Sequence, residues 1–319
     1  MSTCSIDALA AHEPLTGTAP YATAWIVIEQ PGPWGRDALT DSHLDPLVAA
    51  HLAQHKGTGV SVLLARHPDR PERSPASSRH VWIARSAAGG LLMRHAEVDS
   101  LRELLAWDLT AIGQGSLPGF GDIVRTPVMF VCTHSGRDRC CALHGRALVT
   151  EMMQHLEPEV RREVWECSHI GGHRFAPVCL TLPVGTVHGR LDLEAAMSVH
   201  QRAAVNGVVL DHFRGRSSLL PPGQVAAAEV QREYDVGDVD ALDVLRVTEG
   251  TARAVRVPMS LPEGLRSIDV EVRHADGRAW RTTVVSRPLE RDRLESCGKT
   301  PVPGIEWHCV GLTPTEAWL

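Results

Sequence analysis

The chain has 319 residues, 43% of them hydrophobic, and a formal net charge of −6, which is enough apolar material for two or three packed domains and excludes a disordered chain. Of its 32 basic residues only Lys56 and Lys299 are lysine, a bias that reflects base composition rather than a binding surface. Acidic and basic residues alternate along most of the sequence, so no one-signed stripe suited to nucleic acid is present. The first residues, Met-Ser-Thr-Cys-Ser-Ile-Asp-Ala, show neither a cationic n-region nor an apolar h-region. No later stretch reaches the roughly 18 uninterrupted apolar residues of a membrane span. A cytoplasmic protein with no membrane and no nucleic-acid partner is expected.

Residues 1–19 read as a polar lead-in. A buried strand is expected over 21–29, stopped by Gln30-Pro-Gly-Pro-Trp-Gly35, with Trp34 closing a core at the turn. Strands at 60–65, 80–85 and 91–94 and helices at 45–54 and 99–107 make an α/β domain over 20–118, bounded by Pro118-Gly-Phe-Gly121. The segment 119–216 predicts strand 127–132, helix 142–156, strands 163–168, 178–182 and 187–191, and helix 192–206. Leu143, Leu148, Met152 and Leu156 recur at helical spacing, with Arg146, Glu151 and Gln154 opposite. That order is the one a thioredoxin-like domain shows. Residues 217–319 start with Pro221-Pro222 and an alanine-rich helix to residue 234, then strands at 253–257, 268–273, 280–285 and 305–311. The overall class is α/β, with a mixed, strand-rich α+β region at the end whose role is not legible.

The chemistry is concentrated in two short segments. Cys132-Thr-His-Ser-Gly-Arg-Asp-Arg-Cys-Cys141 and His169-Ile-Gly-Gly-His173 each follow an apolar, β-prone run, so both sit at strand ends that can face one another. Gly171 and Gly172 argue against a helical i, i+4 histidine pair and for a loop wrapped closely around a ligand. In a reducing compartment, clustered Cys with nearby His indicates metal binding or redox chemistry rather than a disulfide framework. Cys4, Cys167, Cys179, Cys297 and Cys309 are scattered and read as core or unused thiols.

Cys132–Cys141, His-Ile-Gly-Gly-His-Arg-Phe-Ala at 169–176 and Leu-Pro-Val-Gly-Thr-Val-His-Gly-Arg at 182–190 together resemble the sucrase/ferredoxin-like family of thioredoxin-like ferredoxins. The runs at 14–20 and 29–35 resemble the amino-terminal part of bacterial members. The resemblance implies a [2Fe–2S] cluster held by two cysteines and two histidines, which fall on Cys132, Cys141, His169 and His173. Alignment on Arg137-Asp138 places the ligand on Cys141, leaving Cys140 as a tuning thiol or substitute ligand. It implies an electron-transfer or redox-sensing protein working with an unidentified redox partner, a carrier rather than a stand-alone catalyst. Replacing two thiolates by neutral imidazoles raises the reduction potential. The range expected is nearer roughly −150 to +300 mV than the about −400 mV of all-cysteine plant-type clusters. A titratable second nitrogen on a ligating histidine would make that potential depend on pH.

Among the neighbours, Arg137 offers charge compensation or a hydrogen bond to sulfur, and Asp138 a helix cap or an orienting contact. Arg174 offers a docking or charge-compensating contact. His134 and His144 mimic the Cys-x-His and Cys-x-x-His pairs of a Rieske site at too short a separation, and ordinary roles are expected: a supporting hydrogen bond for His134 and a helix surface for His144. Three rivals stand beside the cluster. A structural zinc site can use the same Cys₂His₂ set, although the nine-residue step from Cys132 to Cys141 exceeds the usual Cys-x₂₋₄-Cys. Thiol–disulfide chemistry at Cys140-Cys141 lacks the Cys-x-x-Cys motif. A glycosidase would need paired carboxylates that the sequence does not display.

Overall fold

The structure, a computed structural model, describes residues 3–69, 78–87, 89–248, 251–253 and 267–315. A short helix α1 (Cys4–Ala10) precedes β1 (Ala24–Glu29), a strand buried at every position. Helices α2 (Ala38–Asp41) and α3 (Pro46–Leu52) lead to β2 (Val60–Arg66). Asp45 caps α3 by accepting a hydrogen bond from Leu47 N, and Pro46 occupies the first turn, where its missing N–H costs nothing. Strands β3 (Arg79–Arg85) and β4 (Leu92–Val98) follow. The single helix expected over 99–107 is instead a 3₁₀ turn, Leu101–Ala106, followed by α4 (Leu109–Gly113). The reason is that Ser100 and Asp108 each cap a turn of their own. A two-residue β5 (Asp122–Ile123) closes this half.

The second half contains β6 (Val128–Cys132), α5 (Arg146–His155), α6 (Pro158–Arg161), β7 (Val164–Cys167), β8 (Cys179–Leu182), β9 (Thr186–His188), α7 (Leu193–Ala203) and β10 (Phe213–Arg216). The strand–helix–strand–loop–strand–strand–helix order expected over 127–206 is present, extended by β10. The helix expected from residue 142 opens with a π turn, Cys141–Gly145, and becomes regular at Arg146.

The ten strands form one sheet in the order β10-β9-β8-β6-β7-β2-β1-β3-β4-β5. Its two halves share one topology. In the first, β1 is parallel to β2 and antiparallel to β3, which pairs β4, which pairs β5. In the second, β6 is parallel to β7 and antiparallel to β8, which pairs β9, which pairs β10. The halves join through their second strands, Ala65 opposite Cys167 and Arg66 opposite Glu166, so the strand each would otherwise expose as an edge is paired with its counterpart. The halves share one inner core, where Trp25, Trp82, Phe130, Trp165 and Phe175 meet. Trp82 packs edge-on against Trp165, their centroids 4.7 Å apart. The outer face of the first half is covered by α3, α4 and the 3₁₀ turn, that of the second by α5 and α7.

Helix α8 (Pro221–Tyr234) then packs on a five-stranded antiparallel sheet built from β11 (Leu242–Thr248), β12 (Thr251–Arg253), β13 (Ser267–His274), β14 (Ala279–Pro288) and β15 (Ile305–Thr315). Of the strand expected at 253–257, residues 254–257 lie outside the described residues. The fully buried Gln224 of α8 donates to the carbonyls of Ala19 and Leu219 and accepts from Ala19 N, tying the 14–20 segment to this layer. No helix among the described residues is long and apolar enough to cross a membrane.

Glu271 of β13, 1% exposed, accepts hydrogen bonds from Arg273 Nε (2.6 Å) and Arg281 Nε (2.8 Å). Burial opposes its ionisation, but the two guanidinium contacts outweigh it and hold the carboxyl below its ordinary range. Its stabilising contribution is therefore present above the ordinary glutamate range and is lost as pH falls through the depressed folded value. Glu271→Gln is expected to lower stability by about 1–3 kcal/mol at neutral pH. In urea titrations the gap to wild type should close in acid; a gap independent of pH would show that the ion pairs contribute nothing.

Candidate metal centre

Because β6 and β7 are parallel, their carboxyl ends lie on the same side of the sheet, and the loops that leave them emerge together. Cys132 ends β6 directly opposite Cys167, which ends β7. This register brings the cysteine loop and the histidine loop side by side, at the end of parallel strands where α/β sheets commonly bind ligands. Every residue of β6 is buried, so Cys132 is fixed by a rigid central strand.

The second cysteine arrives by a close approach of helix to strand. A Cβ on Gly145 would lie 2.1 Å from the Cys132 carbonyl oxygen, so only glycine lets the π turn rest against the strand end. Single π turns recur at functional sites because the extra residue re-aims a side chain, here Cys141. The histidine loop is pinned to β2: Ser168 N donates to the Leu64 carbonyl (2.7 Å), and Leu64 N donates to Ser168 Oγ (3.0 Å). Gly171 and Gly172 have φ of 108° and 73°, and a Cβ on Gly172 would meet Arg214 Nη2 at 2.3 Å. The loop can thus turn back on itself and present both histidines only with glycine there.

Cys132 Sγ, Cys141 Sγ and one His169 ring nitrogen all lie within 4.8 Å of one another. The His173 ring lies beside that of His169, with centroids 5.1 Å apart. Nδ1 of His169 is buried without a hydrogen-bond partner among the described residues, and the buried Nε2 of His173 has only the Asp138 carboxylate, 3.5 Å away, facing it. Buried polar atoms are ordinarily satisfied, so an unpaired imidazole nitrogen on a ring whose other atoms stand beside two buried thiols marks a candidate ligand set, with His173 adjoining it through His169 rather than meeting the thiols itself. Cys141 directs its thiol proton at Cys132, which holds Cys132 well below the ordinary thiol range and pushes Cys141 well above it, burial adding to the latter. Burial keeps His173 below the usual imidazole value despite the nearby Asp138 carboxylate, favouring the neutral ring that ligates metals. Thiols plus imidazoles suit zinc or an iron–sulfur cluster, so the residues present fit such a group.

The neighbours divide clearly. Asp138 Oδ1 accepts from Cys140 N (2.8 Å), while Oδ2 accepts from Ser296 Oγ (2.9 Å) and Cys297 N (3.0 Å) and lies 3.5 Å from His173 Nε2. Burial opposes its ionisation, but these amide donors and His173 together bring its pKa down to about 2. Cys140 turns away from the Cys132 group toward Cys4 and Cys297. His134 donates from Nε2 to the Gly35 carbonyl (2.8 Å) and packs edge-on against Trp34. Arg137 is exposed, and His144 is half-buried within the π turn. Arg174 points inward, its Nε donating to Glu13 Oε1 (2.8 Å) and its guanidinium 4.3 Å from the Phe175 ring centre.

Sequence reasoning did not single out Arg214. This β10 residue is 1% exposed; its Nη1 donates to the Gly171 carbonyl (2.8 Å), its Nε to Thr18 Oγ1 (3.0 Å) and its Nη2 to the Thr18 carbonyl. Burial lowers its pKa to about 9, with the two thiols working the other way, so it remains a cation at neutral pH beside the cysteines. An arginine in a short strand 40 residues beyond the histidine loop carries no local signal of this role.

Alanine at residue 145 should favour the helix by about 0.5–1 kcal/mol on propensity alone. The Cβ overlap with the Cys132 carbonyl is expected to win, so Gly145→Ala should lower the melting temperature and reduce bound metal per chain. Unchanged metal content and melting would show that the close approach is dispensable. No curated protein and no solved structure matches the chain. The sucrase/ferredoxin-like family model matches residues 15–215, from the segment before β1 into β10, and that span takes in all but the last residue of the ten-stranded sheet and both ligand loops. The chain belongs to the sucrase/ferredoxin-like family.

Proposed function

We propose that this protein carries single electrons on a [2Fe–2S] cluster held by Cys132, Cys141, His169 and His173. The observation that carries the reading is the convergence of two buried thiols and the His169 imidazole, with the His173 ring beside it, at the ends of two parallel strands. Family membership supports it. When bound, the cluster supplies a one-electron couple whose potential mixed Cys/His ligation places above that of all-cysteine clusters. The chain's own residues do the rest. Cys132 and Cys141 would bind as thiolates, giving up their thiol protons, and burial favours the neutral His173 ring that can donate to a metal. Arg214 supplies a fixed buried positive charge that favours the more negative, reduced state. His169 and His173 are only half-buried while both cysteines are buried, so the histidine side is the face on which a redox partner protein would approach.

A second reading is a structural zinc site, favoured by the mutual 4.8 Å limit on Cys132, Cys141 and His169, which is compact enough for one tetrahedral ion. Protein purified without oxygen separates the two. Two irons and two sulfides per chain, with an electron paramagnetic resonance signal after dithionite that changes in His169→Cys and His173→Cys variants, are the expected results. Zinc at this site that persists through anaerobic reconstitution with iron and sulfide would instead leave a structural centre. Within the cluster reading, Arg214→Gln should lower the reduction potential by an amount on the order of tens of millivolts, the scale of one removed charge at an effective dielectric near 20. Arg214→Lys should restore most of it. Equal potentials in all three proteins would remove Arg214 from the electrostatics of the site.

A further inference from the structure

Three further thiols meet beside this centre without belonging to it. Cys4 comes from α1, Cys140 from the residue just before the π turn, and Cys297 from the segment between β14 and β15. Their sulfurs form a near-equilateral triangle: Cys4 to Cys140 3.5 Å, Cys140 to Cys297 3.4 Å, and Cys297 to Cys4 3.6 Å. Asp138 Oδ1 stands 3.7 Å from Cys4 Sγ, and all four ligand atoms lie within 4.8 Å of one another. Cys4 and Cys140 are fully buried. The triangle is drawn from positions 136 and 157 residues apart on either side of Cys140, so local sequence does not account for it.

We propose that Cys4, Cys140, Cys297 and Asp138 form a second, mononuclear zinc site that clamps α1 and the segment after β14 onto the ferredoxin-like half. Zinc–sulfur bonds of about 2.3 Å in a tetrahedron put sulfurs about 3.8 Å apart, and the observed spacings are a few tenths shorter. A cluster whose cysteines stand on separate irons needs them farther apart, and a thiolate set of this softness selects zinc over calcium or magnesium. The remaining shell is built to hold the ligands in place. Ser5 Oγ donates to Cys140 Sγ (3.2 Å), and Asp138 is fixed by the amides of Cys140 and Cys297, leaving Oδ1 a lone pair for the ion. Zn²⁺ would bind the three sulfurs as thiolates, displacing the thiol protons they carry, with no change of oxidation state. The family match begins at residue 15 and ends at 215, so Asp138 and Cys140 lie within it but Cys4 and Cys297 lie outside, and the complete set of four is not part of what that match covers.

The test starts from a full-length Cys132→Ser/His169→Ala chain, purified without oxygen, supplemented with Zn²⁺ and dialysed, so that whatever the first centre holds does not enter the count. Elemental analysis should find one zinc per chain. Adding Cys4→Ser or Cys297→Ser should remove it, whereas Cys309→Ser, on the distant β15, should not. Co²⁺ in place of zinc should give a thiolate-to-metal charge-transfer band that follows the same pattern. Circular dichroism reports folding, and if Cys4→Ser does not fold, the half-buried Cys297→Ser decides. A metal-free starting chain, zinc that survives loss of both Cys4 and Cys297, or a disulfide joining two of the three in the untreated protein would each overturn the proposal. None of these outcomes depends on whether the first centre holds iron or zinc.

Discussion

Holding two buried thiols together beside imidazole nitrogens that have no hydrogen-bond partner among the described residues is the constraint around which this fold is arranged. Each orphaned donor or acceptor costs about 1–3 kcal/mol unless something replaces the water it lost. Such a set persists only where the backbone over-determines it, and here the over-determination is visible. Cys132 sits on a central strand buried along its length, Cys141 on a turn pressed against that strand through Gly145, and the histidines on a loop anchored to β2 through Ser168. The two ladders that meet at Cys167, with β6 on one side and β2 on the other, hold these pieces in register. A bound metal or cluster would convert this arrangement from a cost into a source of stability, because ligands already in place lose little entropy on binding.

The repeated topology explains why one half carries ligands and the other does not. In each half the first two strands run parallel and end together, but the first half has Gln30 and His67 after β1 and β2 where the second has a cysteine loop and a histidine loop. What the first half contributes is support. A Cβ on Gly136 would lie 1.8 Å from the Gly35 carbonyl oxygen, and the same carbonyl accepts from His134, so the proline-rich turn of the first half is the floor on which the cysteine loop rests. Trp34, buried and donating to the Gln30 carbonyl, stiffens that floor. Pairing through β2 and β7 is therefore more than edge protection, since it sets the height of the floor relative to the site.

Much of this was readable from sequence where the signal is local. The alternation over 127–206 and the strand before Pro31 rest on hydrophobic period and on breakers, and the structure has those elements. The glycines between His169 and His173 were readable as a loop because only glycine takes the φ values that the turn needs. What escaped depends on distance along the chain. The helix expected over 99–107 split because two caps compete within ten residues, a tertiary choice between equally good local starts. Arg214 and Thr18 come from opposite ends of the family-matched span, and Glu13, which pairs with Arg174, from just before it, so no short window of residues contains them together. Cys4 and Cys297 look like scattered thiols for the same reason.

The adjacent pair Cys140-Cys141 shows how helical geometry resolves an ambiguity that spacing leaves open. Read as a string, the two are interchangeable candidates for one ligand position. At a helical start, successive side chains diverge by about 100°, so two neighbours cannot both face one ion. Here Cys141 faces Cys132 and His169, and Cys140 faces Cys4 and Cys297. Asp138, three residues before Cys141, lies between the two directions: one oxygen serves the thiol triangle and the other faces His173. A carboxylate that accepts a backbone amide at each oxygen, one face toward the thiol triangle and the other toward His173, ties the two clusters of side chains to one rigid group.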